Sequence, residues 1–104
     1  MEEQKIERYL KKQVELIGGK AYKFVSPGVT GVPDRIVILS PGRIFFIELK
    51  APGENLRKLQ KVRLEQLKKL GCNTLVIDSK EKVDMFIREQ HDENVKLWRY
   101  KNER

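Results

Sequence analysis

Two strand-forming runs, Arg35-Ile36-Val37-Ile38-Leu39 and Arg43-Ile44-Phe45-Phe46-Ile47-Glu48-Leu49, flank the turn sequence Ser40-Pro41-Gly42. β-Branched and aromatic residues on both sides of a Pro-Gly turn predict a β-hairpin. Its register follows from the loop. With three loop residues Leu39 faces Arg43, and counting outward pairs Ile38 with Ile44, Ile36 with Phe46 and Asp34 with Glu48. A two-residue loop would slip the pairing by one and send Asp34 away from Glu48. Strand alternation gathers Ile44, Phe46, Glu48 and Lys50 on one face, with Phe45, Ile47 and Leu49 on the other. The expected core side is the one carrying the Ile38–Ile44 and Ile36–Phe46 pairs, and it ends in two opposed acids.

Directly opposed carboxylates repel and destabilise a sheet. A divalent cation between them reverses that sign. The carbonyl of Leu49, between Glu48 and Lys50, is a candidate third oxygen ligand, in an octahedral set suited to magnesium or manganese. The Lys50 ammonium is then placed to stabilise charge on an attacking hydroxide or a scissile phosphate. This pattern points to a metal-dependent nuclease centre. The alternative is a surface salt bridge from Lys50 to Asp34 or Glu48 at a strand end.

A chain of 104 residues predicts one domain, spanning 1–104. Its charged fraction of 36% and hydrophobic fraction of 39% fit a solvated globular protein and not a disordered one. The formal net charge of +7 favours a polyanionic partner such as nucleic acid. No apolar run is long enough to span a bilayer, and Met1-Glu2-Glu3-Gln4 does not resemble a signal peptide. Cys72 is the single cysteine, so no internal disulfide forms, and a reducing, cytoplasmic setting is expected. With one histidine besides, a Cys/His zinc site is excluded.

Residues 2–17 predict an amphipathic helix with Ile6, Leu10 and Ile17 on one stripe, stopped by Gly18-Gly19. Ala21 to Val25 reads as a short strand. Ser26 to Pro33 is a Gly/Pro loop suited to contact a partner. After the hairpin a second helix over 55–70 is expected, capped by Asn55 and ended by Gly71. Thr74 to Ile77 reads as a buried strand. Ser79 caps a third helix reaching about Gln90, and Val95 to Tyr100 is expected as an extra C-terminal strand. The fold class is α/β, a mixed sheet flanked by helices in the order αβββαβα, with a right-handed crossover through the second helix.

Further residues bear on the site. Leu56, Leu59, Leu64, Leu67 and Leu70 mark the second helix's core stripe, and Gln60 projects within about 40° of its centre. It either serves the acid cluster or bonds to backbone as a structural glutamine. Arg63 shares the stripe, so that end of the helix is partly exposed or Arg63 reaches phosphate. Glu3 lies nearer the first helix's stripe than Glu7, as an acid facing the cluster or a solvated acid at a helix N-terminus. Lys23 and Arg35, near the loop and the acids, are candidate phosphate contacts, with Ser26 of the loop and Arg63. Lys11, Lys12, Lys68 and Lys69 read as solvated helix faces.

Taken together, Pro33-Asp34, Glu48-Leu49-Lys50 and Gln60 resemble the PD-(D/E)XK nuclease superfamily. More narrowly, the chain resembles a standalone VRR-Nuc domain, the virus-type replication and repair nuclease. The likeness runs from the first helix through the third. It is carried by Glu3 with Ile6 and Leu10, Lys23 to Gly28, Gly31 to Arg35, Phe46 to Gly53, and Leu59-Gln60. The resemblance implies a restriction-endonuclease-like fold and magnesium- or manganese-dependent hydrolysis of DNA. It implies metal binding by Asp34, Glu48 and the Leu49 carbonyl, and catalytic support from Lys50 and Gln60. Glu3 matches the first-helix acid, with Glu7 as the alternative. The family's likeness to Holliday-junction resolvases implies a homodimer acting on branched DNA. Trp98 and Tyr100 lie beyond the matched region, where Trp98 could stack on a base, pack on the sheet or meet a second subunit.

A structure-selective DNA endonuclease, of a kind that phages encode, is therefore the leading reading. A non-catalytic basic DNA-binding module that keeps the fold is the second, and a purely structural basic domain ranks last.

Overall fold

The computed structural model describes residues 2–102, leaving aside the side chains at positions 94, 95, 97–99 and 101. Helix α1 (Glu3–Leu16) buries Ile6, Leu10 and Val14, one residue per turn on a single stripe. It turns out through Gly18 and Gly19 into strand β1 (Lys20–Lys23). A Cβ on Gly19 would meet Leu39 Cδ2 at 2.5 Å and the Ile38 carbonyl oxygen at 2.8 Å, so only glycine lets the chain pass β2 so closely. Strands β2 (Arg35–Leu39) and β3 (Arg43–Leu49) form the hairpin. Helix α2 (Lys58–Lys69) leads to β4 (Asn73–Ile77), and α3 (Lys80–Asn102) follows.

The fold is α/β in the order αβββαβα, with one four-stranded mixed sheet ordered β1-β2-β3-β4. The β1–β2 and β2–β3 pairs are antiparallel and β3–β4 is parallel. In the hairpin Leu39 pairs with Arg43, Ile38 with Ile44 and Ile36 with Phe46, the register expected from a three-residue loop.

The faces are the reverse of those expected. Val37, Leu39, Phe45, Ile47 and Leu49 join Ile6, Leu10, Val14, Ile77, Val83 and Phe86 in the core, beneath α1 and α3. Ile36, Ile38 and Phe46 on the opposite face are half-buried, and Ile44 is 46% exposed. Both faces of the hairpin are apolar, so periodicity fixes which residues share a face and not which face two helices cover. Phe45 meets Phe86 edge-on at 5.1 Å, and burying each such side chain contributes about 1.5–3 kcal/mol. The Tyr9 hydroxyl donates to Asp84 Oδ1 at 2.6 Å and its ring lies 4.7 Å from Lys80 Nζ, which fixes α1 against α3.

Four other expectations are corrected. The strand foreseen at Val95–Tyr100 is helix, because nothing between Lys80 and Asn102 breaks α3: the segment has no Gly or Pro and many charged helix formers. The Trp98 side chain lies outside the described residues. Helix α2 begins at Lys58 and not at Asn55, after the turn in which the Glu54 amide donates to the Ala51 carbonyl. Its leucine stripe is mostly open, with Leu64 buried, Leu59 39% exposed and Leu70 80% exposed, since α2 packs on β4 alone among the strands it borders closely. As the sheet edge, β4 is only partly covered, and Ile77 is its one buried residue. Ser79 does cap α3, its Oγ accepting the Lys82 amide proton at 3.1 Å.

Candidate metal centre

The acid cluster lies where the hairpin ends. Pro33 is fully buried and brings Asp34 to the mouth of β2. The half-buried Asp34 accepts the Leu49 amide proton on Oδ2 at 2.8 Å, across from the end of β3. Glu48 is 1% exposed, and its Oε2 has no hydrogen-bond partner. Lys50 is 6% exposed, and its amide donates to the Ile77 carbonyl at 3.0 Å, carrying the parallel ladder one residue past β3.

Burial pushes the Glu48 carboxyl up from 4.5 to about 9, helped by hydrogen bonding to Asp34, by the Asp34 charge and by Glu3, while Lys50 opposes the rise. Glu3 is also raised, first by burial and then by Asp34, with Lys50 again opposing and Glu54 and Glu7 adding. Four groups on three elements, Glu3, Asp34, Glu48 and Lys50, thus share one electrostatic field. The ion pairs among the described residues are Glu7–Arg35 and Asp78–Lys82, so Lys50 is not held in a surface salt bridge to either acid. Among those residues no group of three or more His, Cys, Asp or Glu side chains is arranged to hold a metal ion. The local donor set is two carboxylates and the backbone.

Glu3 and Glu7 have parted company. Glu7 is bonded to Arg35 Nε at 2.6 Å, which leaves Glu3 as the acid of α1 coupled to the cluster. Arg35, considered above as a phosphate contact, is instead turned inward. It is 8% exposed and spends its guanidinium on Glu7 and, at 2.9 Å, on the Ala21 carbonyl. Gln60 is half-buried, and its Oε1 accepts the Arg57 amide proton at 2.9 Å, so it caps the helix it belongs to. Arg63 donates to the Thr30 carbonyl at 2.8 Å and to Gln66, and so ties the Gly/Pro loop to α2. Gly31 (φ +86°) sits under the same helix, where a Cβ would meet Leu59 Cγ at 3.0 Å. Lys23 is exposed and Ser26 half-buried, with the Ser26 carbonyl accepting the Val29 amide proton within the loop. Glu54 is not legible from sequence as part of this cluster, because an exposed acid in a Gly/Pro turn carries no local signal; its charge on Glu3 reveals its proximity.

Fold and cluster together define an α/β protein whose hairpin delivers two acids and a lysine to one end of the sheet. A solved structure described as "VRR_NUC domain" is similar over 83% of this chain and 94% of its own length, with a TM-score of 0.78 and 33% sequence identity. A relative named "Putative nuclease p44", from Acyrthosiphon pisum secondary endosymbiont phage 1, is 49% identical over 79 residues, which is 76% of this chain and 85% of the relative. No protein-family model matches the chain. The chain belongs to the VRR_NUC family. No described helix is long and apolar enough to cross a membrane.

Proposed function

We propose that this protein is a metal-dependent DNA endonuclease that hydrolyses phosphodiester bonds with preference for branched or junction DNA, acting as a homodimer. The observation that carries the reading is the buried Glu48 carboxyl, with one oxygen unpartnered, facing Asp34 beside Lys50. An orphaned buried carboxylate oxygen is costly unless something binds it. A divalent cation fits that need, and Asp34, Glu48 and the Leu49 carbonyl would hold it. When bound, magnesium or manganese supplies positive charge and Lewis acidity at the scissile phosphate.

The protein's own groups do the rest. Lys50, nearly buried, stabilises charge that develops on the attacking oxygen and on the phosphoryl oxygens. Glu3 adds negative charge that favours cation binding over an empty site. Gln60 keeps its amide nitrogen for the substrate side while its oxygen caps α2. Lys23, Ser26 and Arg63 border the loop and contact phosphate; Arg35 supports them from within by holding β1, β2 and α1 together. The net charge of +7 draws the polyanion in.

Cleavage of linear, flapped and four-way-junction DNA with magnesium or manganese tests this reading. Wild type should cut the branched substrates preferentially, and Asp34→Ala and Lys50→Ala should each lose most of that activity. Salt-sensitive binding indifferent to chelator, with no cleavage under either metal, would instead support a DNA-binding module that has kept the fold.

A further inference from the structure

The face of the sheet that carries Glu48 is covered by α2 only on its β4 side. Cross-strand register continues the site along this face: Tyr22 pairs with Ile36, and Ile36 with Phe46, in the row next to Asp34 and Glu48. Lys20, Ile38 and Ile44 form the row beyond. Tyr22 is 56% exposed and Ile44 46% exposed, over a floor stiffened by the Phe24–Phe46 pair at 5.7 Å. Two strand spacings and one side-chain repeat separate Tyr22 from Glu48, roughly 12 Å.

What lies over an apolar patch of this kind is decided by charge. Lys20 lies two residues from Tyr22 on the same face and is exposed, whereas Lys23, next to Tyr22 in sequence, falls on the opposite face with Ala21 and Arg35; the chain as a whole carries a net charge of +7. A second copy meeting this face would bring like charge to like; a polyanion meets it with opposite charge. Aromatic surface beside cationic side chains is how proteins hold unpaired bases without reading their sequence.

We infer that the bare half of this face is a stacking platform for an unpaired nucleotide beside the scissile phosphate, with Tyr22 under the base and Lys20 at the neighbouring phosphate. The inference rests on the nuclease reading and deepens it: the enzyme selects DNA with a single-stranded segment next to the cut. Its test needs no cleavage. A duplex carrying a short single-stranded extension with 2-aminopurine is titrated with the full-length protein in chelator, and fluorescence reports stacking. Wild type should quench the probe. Tyr22→Ala should bind about 5- to 150-fold more weakly with the quench abolished, and Tyr22→Phe should restore both. Lys20→Ala should lower the salt dependence of binding. Equal quenching by wild type and Tyr22→Ala overturns the platform, as does wild type that fails to quench. A concentration-dependent dimer that Tyr22→Ala and Ile44→Glu both dissociate overturns it in favour of a second copy. Because binding is read without metal, inactive protein that still quenches would refute only the nuclease reading.

Discussion

Asp34 Oδ2 accepts the amide proton of Leu49 at 2.8 Å, so the acid that precedes β2 is fastened to the residue that follows Glu48. The same carboxylate that receives this bond is also hydrogen-bonded to Glu48. Structure and chemistry therefore meet in one side chain, and substitution can separate them.

Asp34→Asn retains an oxygen that can accept the Leu49 amide proton, whereas Asp34→Ala leaves that donor unmatched. Chemical denaturation of the metal-free protein should show Asp34→Ala less stable by about 1–3 kcal/mol, with Asp34→Asn close to wild type. Both should lose the stabilisation that manganese gives the wild-type protein. Equal stability of the two variants without metal would mean the bond to Leu49 carries no weight.

The raised Glu48 carboxyl makes stability depend on pH in a defined direction. Between 4.5 and about 9 the folded protein holds a proton that the unfolded chain has released, so stability falls as pH rises through that window. A cation displaces that proton, so manganese should stabilise the protein more at pH 8 than at pH 5. Urea melts across this range, with and without metal, check both statements. Glu48→Gln cannot titrate and should flatten the metal-free profile.

Arg35 is tied at once to Glu7 and to the Ala21 carbonyl beneath the sheet. Removing one partner of a buried pair strands the other, and Arg35→Ala should cost about 3–5 kcal/mol. Thermal denaturation should register the loss whether or not DNA is present. A variant of wild-type stability that binds DNA more weakly would return Arg35 to the phosphate-contact group.

Gln60 has a structural duty that the Arg57 amide reveals. Gln60→Ala should destabilise by about 1 kcal/mol, as other lost helix caps do. Gln60→Glu keeps the accepting oxygen and should keep the stability. Cleavage by Gln60→Glu then isolates the chemical role, and a fall in kcat with unchanged melting assigns Gln60 to the site.

Much of this architecture was legible in the residues. The turn Ser40-Pro41-Gly42 defines the hairpin register and with it the meeting of Asp34 and Glu48, because a loop length is local information. Ile6 and Leu10 declare the buried stripe of α1 in the same way. The choice of core face was not legible, since Ile36, Ile38, Ile44 and Phe46 are as apolar as the residues opposite; only the placement of α1 and α3 decides it. Nor was the inward turn of Arg35, which depends on Glu7 reaching it from a helix 28 positions earlier. The late start of α2 does carry a local signal: a glutamine at the third helical position reaching back to the residue before the helix.

Whether Glu48 holds a cation in place of its proton is decided by calorimetric titration of manganese into wild type and Glu48→Gln at neutral pH, in buffers of differing ionisation enthalpy. Wild type should bind saturably with release of a proton, and Glu48→Gln should bind far more weakly and release none. Identical binding by the two proteins, or none by wild type, would contradict that role of Glu48.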